Sequence, residues 1–255
     1  MKLLAINGSY RGDKGHTGYL LDLLFQGARE TGAECKSILL ARHKINHCLA
    51  CDKCHQNDHF LQCAYRDRDG VAAIFEEMAQ ADLIIYAAPV YLLGLSGLLK
   101  IFIDRMYSTS DVNELQITKS GLLFHHVDRS ICSKPFVSLI CCDNLENEMP
   151  ENAISYFRTF SRFMDAPHVG ELVRSGGKLV QYGHDLERPQ RFPRLEQIYN
   201  AYIQAGRELA LRGRIEPMTQ RQASQEIISV PFFKILKNLP AFKPVMLERA
   251  KEMLR

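Results

Sequence analysis

Asp82-Leu83-Ile84-Ile85-Tyr86-Ala87-Ala88-Pro89 decides the fold of this chain. Six residues between Asp82 and Pro89 are apolar without interruption, and proline is read as the stop. A strand that shows water one face alternates apolar with polar; a strand buried on both faces does not. Working outward, residues 2–7 form a second such run, ending at Gly8, and 134–142 and 166–173 form two more. Residues 34–40 supply the fifth strand. Between the strands, apolar residues recur with helical period: Leu20, Leu21, Leu24, Phe25 and Ala28 in 17–30, and Val71, Ile74, Phe75 and Met78 in 70–80. Residues 96–107, 152–164 and 194–212 read as further helices. Strand–helix alternation with wholly apolar strands predicts an α/β, flavodoxin-like, doubly wound five-stranded parallel sheet in the order 2-1-3-4-5. Ligands of such sheets bind beyond the carboxyl ends of strands 1 and 3.

Residues 216–255 leave that alternation. Pro217, Pro231, Pro240 and Pro244 divide them, and Val230-Pro231-Phe232-Phe233-Lys234-Ile235-Leu236 needs a partner surface. We expect a flavodoxin-like domain over 1–215, with a cysteine-rich loop at 46–65, and a C-terminal helical extension over 216–255. The extension is read as packed on its own domain or on a neighbouring subunit, with a membrane-surface helix as the alternative.

The 255 residues are 46% hydrophobic and 24% charged, with a formal net charge of +3. That balance gives no argument for nucleic acid or membrane as partner. The apolar run at the N-terminus is too short for a signal peptide or a membrane span, so a cytoplasmic location is expected.

Two loops fall where a ligand belongs. Gly8-Ser9-Tyr10-Arg11-Gly12-Asp13-Lys14-Gly15-His16-Thr17-Gly18 follows strand 1 and leads into a helix. Ser9 and Thr17 offer hydroxyls, Arg11 a cation, and the helix start free N–H groups, which together suit a phosphate. The spacing is neither a Walker A loop nor a dinucleotide GxGxxG. Taken alone it is equally a polar turn. Ala88-Pro89-Val90-Tyr91-Leu92-Leu93-Gly94-Leu95-Ser96-Gly97 follows strand 3 and is apolar where exposure is costly. A flavin ring against Tyr91 would cover it; so would core or subunit contact. A phosphate cradle and a ring-binding loop together describe an FMN site.

Cys48-Leu49-Ala50-Cys51-Asp52-Lys53-Cys54 places three thiols at every third residue, and Cys63 follows after eight intervening residues. A reducing cytosol argues against disulfides and for metal or redox chemistry. C-x2-C-x2-C is the layout with which bacterial ferredoxins hold three corners of an iron–sulfur cluster. Zinc, with His55 or His59 replacing one thiol, is the competing metal, and a loop without metal is the third reading. Cys35, Cys132, Cys141 and Cys142 are expected to be buried small hydrophobes. His43, His47, His55 and His59 are expected to be solvated, and Lys119 to Arg129, with His125 and His126, a surface loop.

Gly8-Ser9-x-Arg11 with Gly15-x-Thr17, then Ala88-Pro89-x-Tyr91, then Lys100-x-x-Ile103-Asp104-Arg105 resembles the NAD(P)H-dependent FMN reductase group of flavodoxin-like proteins, over roughly residues 1–175. The cysteine-rich loop after strand 2 resembles that of its iron–sulfur flavoprotein subfamily. The resemblance implies FMN phosphate contacts from Ser9, Arg11, His16, Thr17 and Gly18, with His16 where the family usually has Asn. It implies a ring loop of Pro89, Val90, Tyr91, Leu92 and Gly94, and a [4Fe–4S] cluster on Cys48, Cys51, Cys54 and Cys63. Lys100, Asp104 and Arg105 would hold the helix and a subunit contact. The activity implied is an FMN-dependent oxidoreductase fed by a ferredoxin-like donor. Its electrons would pass from cluster to FMN and on to a small acceptor such as oxygen, peroxide or a quinone, in a homodimer or homotetramer. A cluster-free NAD(P)H-dependent FMN or quinone reductase, and a non-catalytic electron carrier or redox sensor, are the other readings.

Overall fold

The computed structural model describes residues 1–56, 61–180, 192–228, 236 and 238–254. His59 and Val230–Ile235 of the sequence reading lie outside the described residues. Five parallel strands, β1 (Lys2–Asn7), β2 (Glu34–Leu39), β3 (Leu83–Tyr91), β7 (Phe136–Cys141) and β8 (His168–Arg174), stand in the order β2-β1-β3-β7-β8. That is the expected 2-1-3-4-5 arrangement. The short strand β4 (Gly94–Leu95) folds back antiparallel on β3, and β5 (Ser110–Ile117) pairs with β6 (Leu123–Val127) in a separate hairpin.

The uninterrupted apolar strands reflect two cores. Leu83, Ile85 and Ala87 enter one, beneath α1 (His16–Glu30) and α7 (Arg194–Arg212). Ile84, Tyr86 and Ala88 enter the other, beneath α2 (Val71–Gln80), α3 (Gly97–Asp104) and α5 (Glu151–Phe163). Alternation is present but both faces are dry, so the sequence shows none of it. Helices α1 and α7 cross at backbone contact: a Cβ on Gly206 would fall 1.9 Å from the Leu24 carbonyl oxygen. Helix α8 (Pro217–Ser224) covers the free edge of β8. Its Gln220 and Ser224 side chains accept the Glu171 and Val173 N–H groups at 2.8 and 3.0 Å. An edge strand left open would be a template for aggregation.

Three expectations need correcting. Pro89 does not end β3, which runs on to Tyr91. Pairing with β1 stops at Ala87 while pairing with β7 reaches Pro89, so proline stands where the strand has one neighbour and the missing N–H is tolerated. The helix expected over 96–107 is α-helical through Asp104 and then tightens to a 3-10 turn, Arg105–Thr109. The segment read as a surface loop, with His125 and His126, contains strand β6.

Candidate functional site

The turn after β1 is a closed cradle. Asn7, fully buried, accepts the Ser9 N–H on Oδ1 at 2.9 Å, and Ser9 Oγ accepts the Arg11 N–H at 3.2 Å. Ser9 and Thr17 are buried, whereas Arg11 is exposed at the turn and His16 opens α1. A Cβ on Gly18 would lie 2.6 Å from the Gly12 carbonyl oxygen, so only glycine lets the helix start against the turn. The Thr17 side chain hydrogen-bonds the Cys141 thiol, which burial pushes up to about 12. His16 Nε2 lies 3.9 Å from Asp143 Oδ1 in the loop after β7. Asn7 Nδ2 is buried with no hydrogen-bond partner, an orphaned donor beneath the cradle. Buried hydroxyls, a cation and a helix start fit a phosphate.

The loop after β3 is a two-residue hairpin. Pro89 and Val90 are buried in β3, and Tyr91 pairs with Gly94 across the turn. Leu92 and Leu93 take positive φ, 44° and 68°, a conformation that costs a branched side chain roughly 1–2 kcal/mol per residue. Asn152 Nδ2 holds the turn by donating to the Leu93 carbonyl at 2.9 Å. Leu92 is 92% exposed, and Tyr91 lies near-parallel to Tyr10 of the first loop, 6.3 Å between ring centres. Strain of this kind concentrates where a loop has a task beyond connection. Ser96 joins the two loops: its Oγ donates to the Gly8 carbonyl at 2.7 Å and accepts the Leu99 N–H as the cap of α3. All ten residues expected at a flavin therefore lie on these two joined loops.

At the opposite end of α3, roughly 12 Å along its axis, the 3-10 turn meets the cysteine loop. Cys48, Cys51, Cys54 and Cys63 line one pocket of about 350 Å³ with Arg105 and Tyr107. Burial pushes the Cys54 thiol up, the neighbouring thiols of Cys48, Cys63 and Cys51 add to the rise, and a backbone hydrogen bond opposes it. Ala50 and Asp52 both have positive φ, 48° and 53°, and curl the loop. Such turns aim backbone N–H groups at anions, iron–sulfur sites included. Among the described residues no three His, Cys, Asp or Glu side chains meet at a position for a single metal ion. The donor set, four thiols around one concavity, fits a group with several metal corners.

What fixes this loop was not foreseen. Arg105, expected at a subunit contact, is buried here with Asp69; their side chains are 4% and 0% exposed. Its Nη1 also donates to the Asn46 carbonyl at 3.0 Å, and Asp69 accepts the Asn46 and Val71 N–H groups. The pair thus ties both feet of the loop to α2 and α3. Tyr107 donates to Asp52 Oδ1 at 3.1 Å and meets the His55 ring edge-on. His55, expected in solvent, has a side chain only 6% exposed. His43 and His47 are exposed, and Lys100 pairs with Asp104 along α3. Cys132, Cys141 and Cys142 are buried as expected, but Cys35 is only half-buried on β2. No helix among the described residues is long and apolar enough to cross a membrane.

The sequence pattern of the NADPH-dependent FMN reductase family matches residues 1–125. An iron-sulfur flavoprotein of Archaeoglobus fulgidus is 35% identical over 105 residues, 41% of this chain and 48% of that protein. Another, of Methanocaldococcus jannaschii, is 35% identical over 105 residues, 41% of this chain and 51% of its own length. The matched stretch spans about half the length of each of these relatives. An FMN-dependent NADH-azoreductase from Bacillus anthracis, solved with FMN, superposes with a TM-score of 0.56 at 13% identity, covering 82% of this chain and 100% of that one. That likeness is one of fold. Over residues 1–125, just under half of its length, the chain is thus similar to the NADPH-dependent FMN reductase family.

Proposed function

We propose that this chain is an FMN-dependent oxidoreductase that also carries a [4Fe–4S] cluster and passes electrons to a small acceptor such as oxygen, peroxide or a quinone. The convergence of Cys48, Cys51, Cys54 and Cys63 on one pocket carries the reading. Bound FMN would supply two-electron chemistry and a cluster one-electron exchange. The chain's part is placement. Arg11 and the start of α1 would balance the phosphate charge, with Ser9 and Thr17 lining the cradle beside it, and the hairpin of Tyr91 to Gly94 would form an apolar wall for the ring. The four thiols hold the cluster, and Arg105 with Asp69 keeps their loop closed. Residues 1–215, including the 46–65 loop, would form the flavin domain, and 216–255 its extension. A ferredoxin-like protein would be the donor, with the chain working as a homo-oligomer in the cytoplasm.

The match to a family described as NADPH-dependent favours a second reading, in which NAD(P)H reduces the flavin directly and no cluster is held. Anaerobic preparation followed by iron, sulfide and FMN analysis separates the two. The expected result is four irons and four sulfides per chain beside one FMN. Cys63→Ser should lower the iron sharply, leaving at most a three-iron form, with FMN still bound. Iron at background with full NAD(P)H turnover would establish the second reading instead.

A further inference from the structure

The hairpin of β5 and β6 is unfinished on one side. On its inner face Phe124 lies edge-on to Phe163 with ring centres 5.1 Å apart, and buried Val127 anchors the end of β6. Its outer face carries Leu115, Ile117 and Leu123, which are 61%, 67% and 62% exposed. Ile117 and Leu123 are direct cross-strand partners, so the three form one continuous apolar strip. A two-stranded hairpin is marginal in water and gains its stability from what covers it.

A second apolar surface lies bare on the same chain. Leu239, Phe242, Val245 and Leu247 are exposed along the C-terminal arm, which ends in the helix Lys243–Leu254; Phe242 and Leu247 are 48% and 54% exposed. Neither surface covers the other within one chain, because both are open. Their charges are complementary. The arm shows Lys243 and Lys251 to solvent, while Asp111 and Glu114 flank the strip on β5; Glu248 and Lys119 are the opposing exceptions.

We infer that the arm of one copy of this chain covers the β5–β6 strip of a second copy, and that the second copy returns the contact. A two-fold arrangement of this kind is closed, and it doubles the area one arm can bury. Doubling matters because a stable interface buries about 1,600 Å² in total. The exchange needs neither flavin nor cluster.

Sedimentation velocity on the full-length chain tests it, with FMN content read alongside. The wild type should associate. The double variant Leu115→Asp with Ile117→Asp, and separately Phe242→Asp with Leu247→Asp, should each lose at least half the particle mass, with unchanged circular dichroism because every site is on the surface. Mixing the two variants in equal amounts should restore association at reduced strength, because one of the two contacts is then intact. A monomeric wild type, variants that keep full mass, or a mixture that stays dissociated would overturn the exchange. A monomer that co-sediments with phosphatidylserine vesicles would overturn it too, giving the arm to a lipid surface. Unchanged FMN content throughout separates failure here from failure of the proposed activity.

Discussion

The cradle and the cysteine loop are held in place by different means. The cradle sits at the ends of regular elements: β1 delivers Ser9, α1 delivers His16, Thr17 and Gly18, and β3 delivers Pro89 to Tyr91. The sheet sets those ends in register, and one side chain, Ser96, joins the two loops. Among the described residues around its four thiols the cysteine loop has one three-residue 3-10 turn, Lys53–His55. Beyond its own bonds, such as the Leu61 N–H to the Cys54 carbonyl at 2.9 Å and Tyr65 beneath Lys53 and Arg68 at 5.5 and 4.7 Å, it is held from outside by Arg105, Asp69 and Tyr107. A site built on sheet ends tolerates loss of one contact, whereas a loop held by one buried ion pair does not.

The sharpest way to break that contrast is Arg105→Met. It strands the buried Asp69 carboxylate, and removing one partner of a buried pair costs about 3–5 kcal/mol. Urea unfolding should show a loss of that size, together with early proteolytic cutting between Asn46 and Asp69. A loss below about 1 kcal/mol, the value of a surface pair, would mean that the loop holds itself. Acid should reach the same contact. Burial alone would raise the Asp69 carboxyl, but the Asn46 N–H, the Arg105 guanidinium and the Val71 N–H outweigh it and hold the group below the ordinary range. A carboxyl held low in the folded state stabilises at every pH above its unfolded value of about 3.9 and loses that contribution as pH falls through its folded value. The contribution of Asp69 should therefore be lost only below pH of about 4, and this acid-sensitive step should be smaller in Arg105→Met, which keeps the Asn46 and Val71 N–H groups.

On the cradle side the expected effects are smaller. Arg11→Ala should weaken FMN binding by about 1.5–3 kcal/mol, the value of a hydrogen bond to a charged group, with no change in the reactivity of the four loop thiols. Full FMN content at unchanged affinity would remove Arg11 from the site. Ser96→Ala removes a helix cap and the tie to Gly8 and should lower stability by about 1 kcal/mol, measured as a fall in urea midpoint. The smallest effect is expected at Tyr107→Phe, which deletes one partly exposed hydrogen bond worth about 0.5–1.5 kcal/mol. If it loosens the cysteine loop as much as Arg105→Met does, the buried pair is not the principal restraint.

Residue spacing alone made the five parallel strands and the helices between them legible, because each depends on neighbours within a few positions. Leu83 to Ala88 reads as a doubly buried strand whatever surrounds it, and Ser9 and Thr17 bracket a turn closed by local hydrogen bonds. The cysteine spacing was legible in the same way, down to Cys63. The hairpin was not: between Lys119 and Arg129 the polar residues mask a strand of five, and its pairing with Ser110–Ile117 shows only once both are placed. Tertiary structure alone decided that Arg105 serves the cysteine loop, since its partners Asn46 and Asp69 are 59 and 36 positions away. It likewise decided that His55 is buried under Tyr107 and that Pro89 continues a strand. Local propensity acts over a turn or a strand, whereas a buried charge is settled by whichever distant group the fold brings to it.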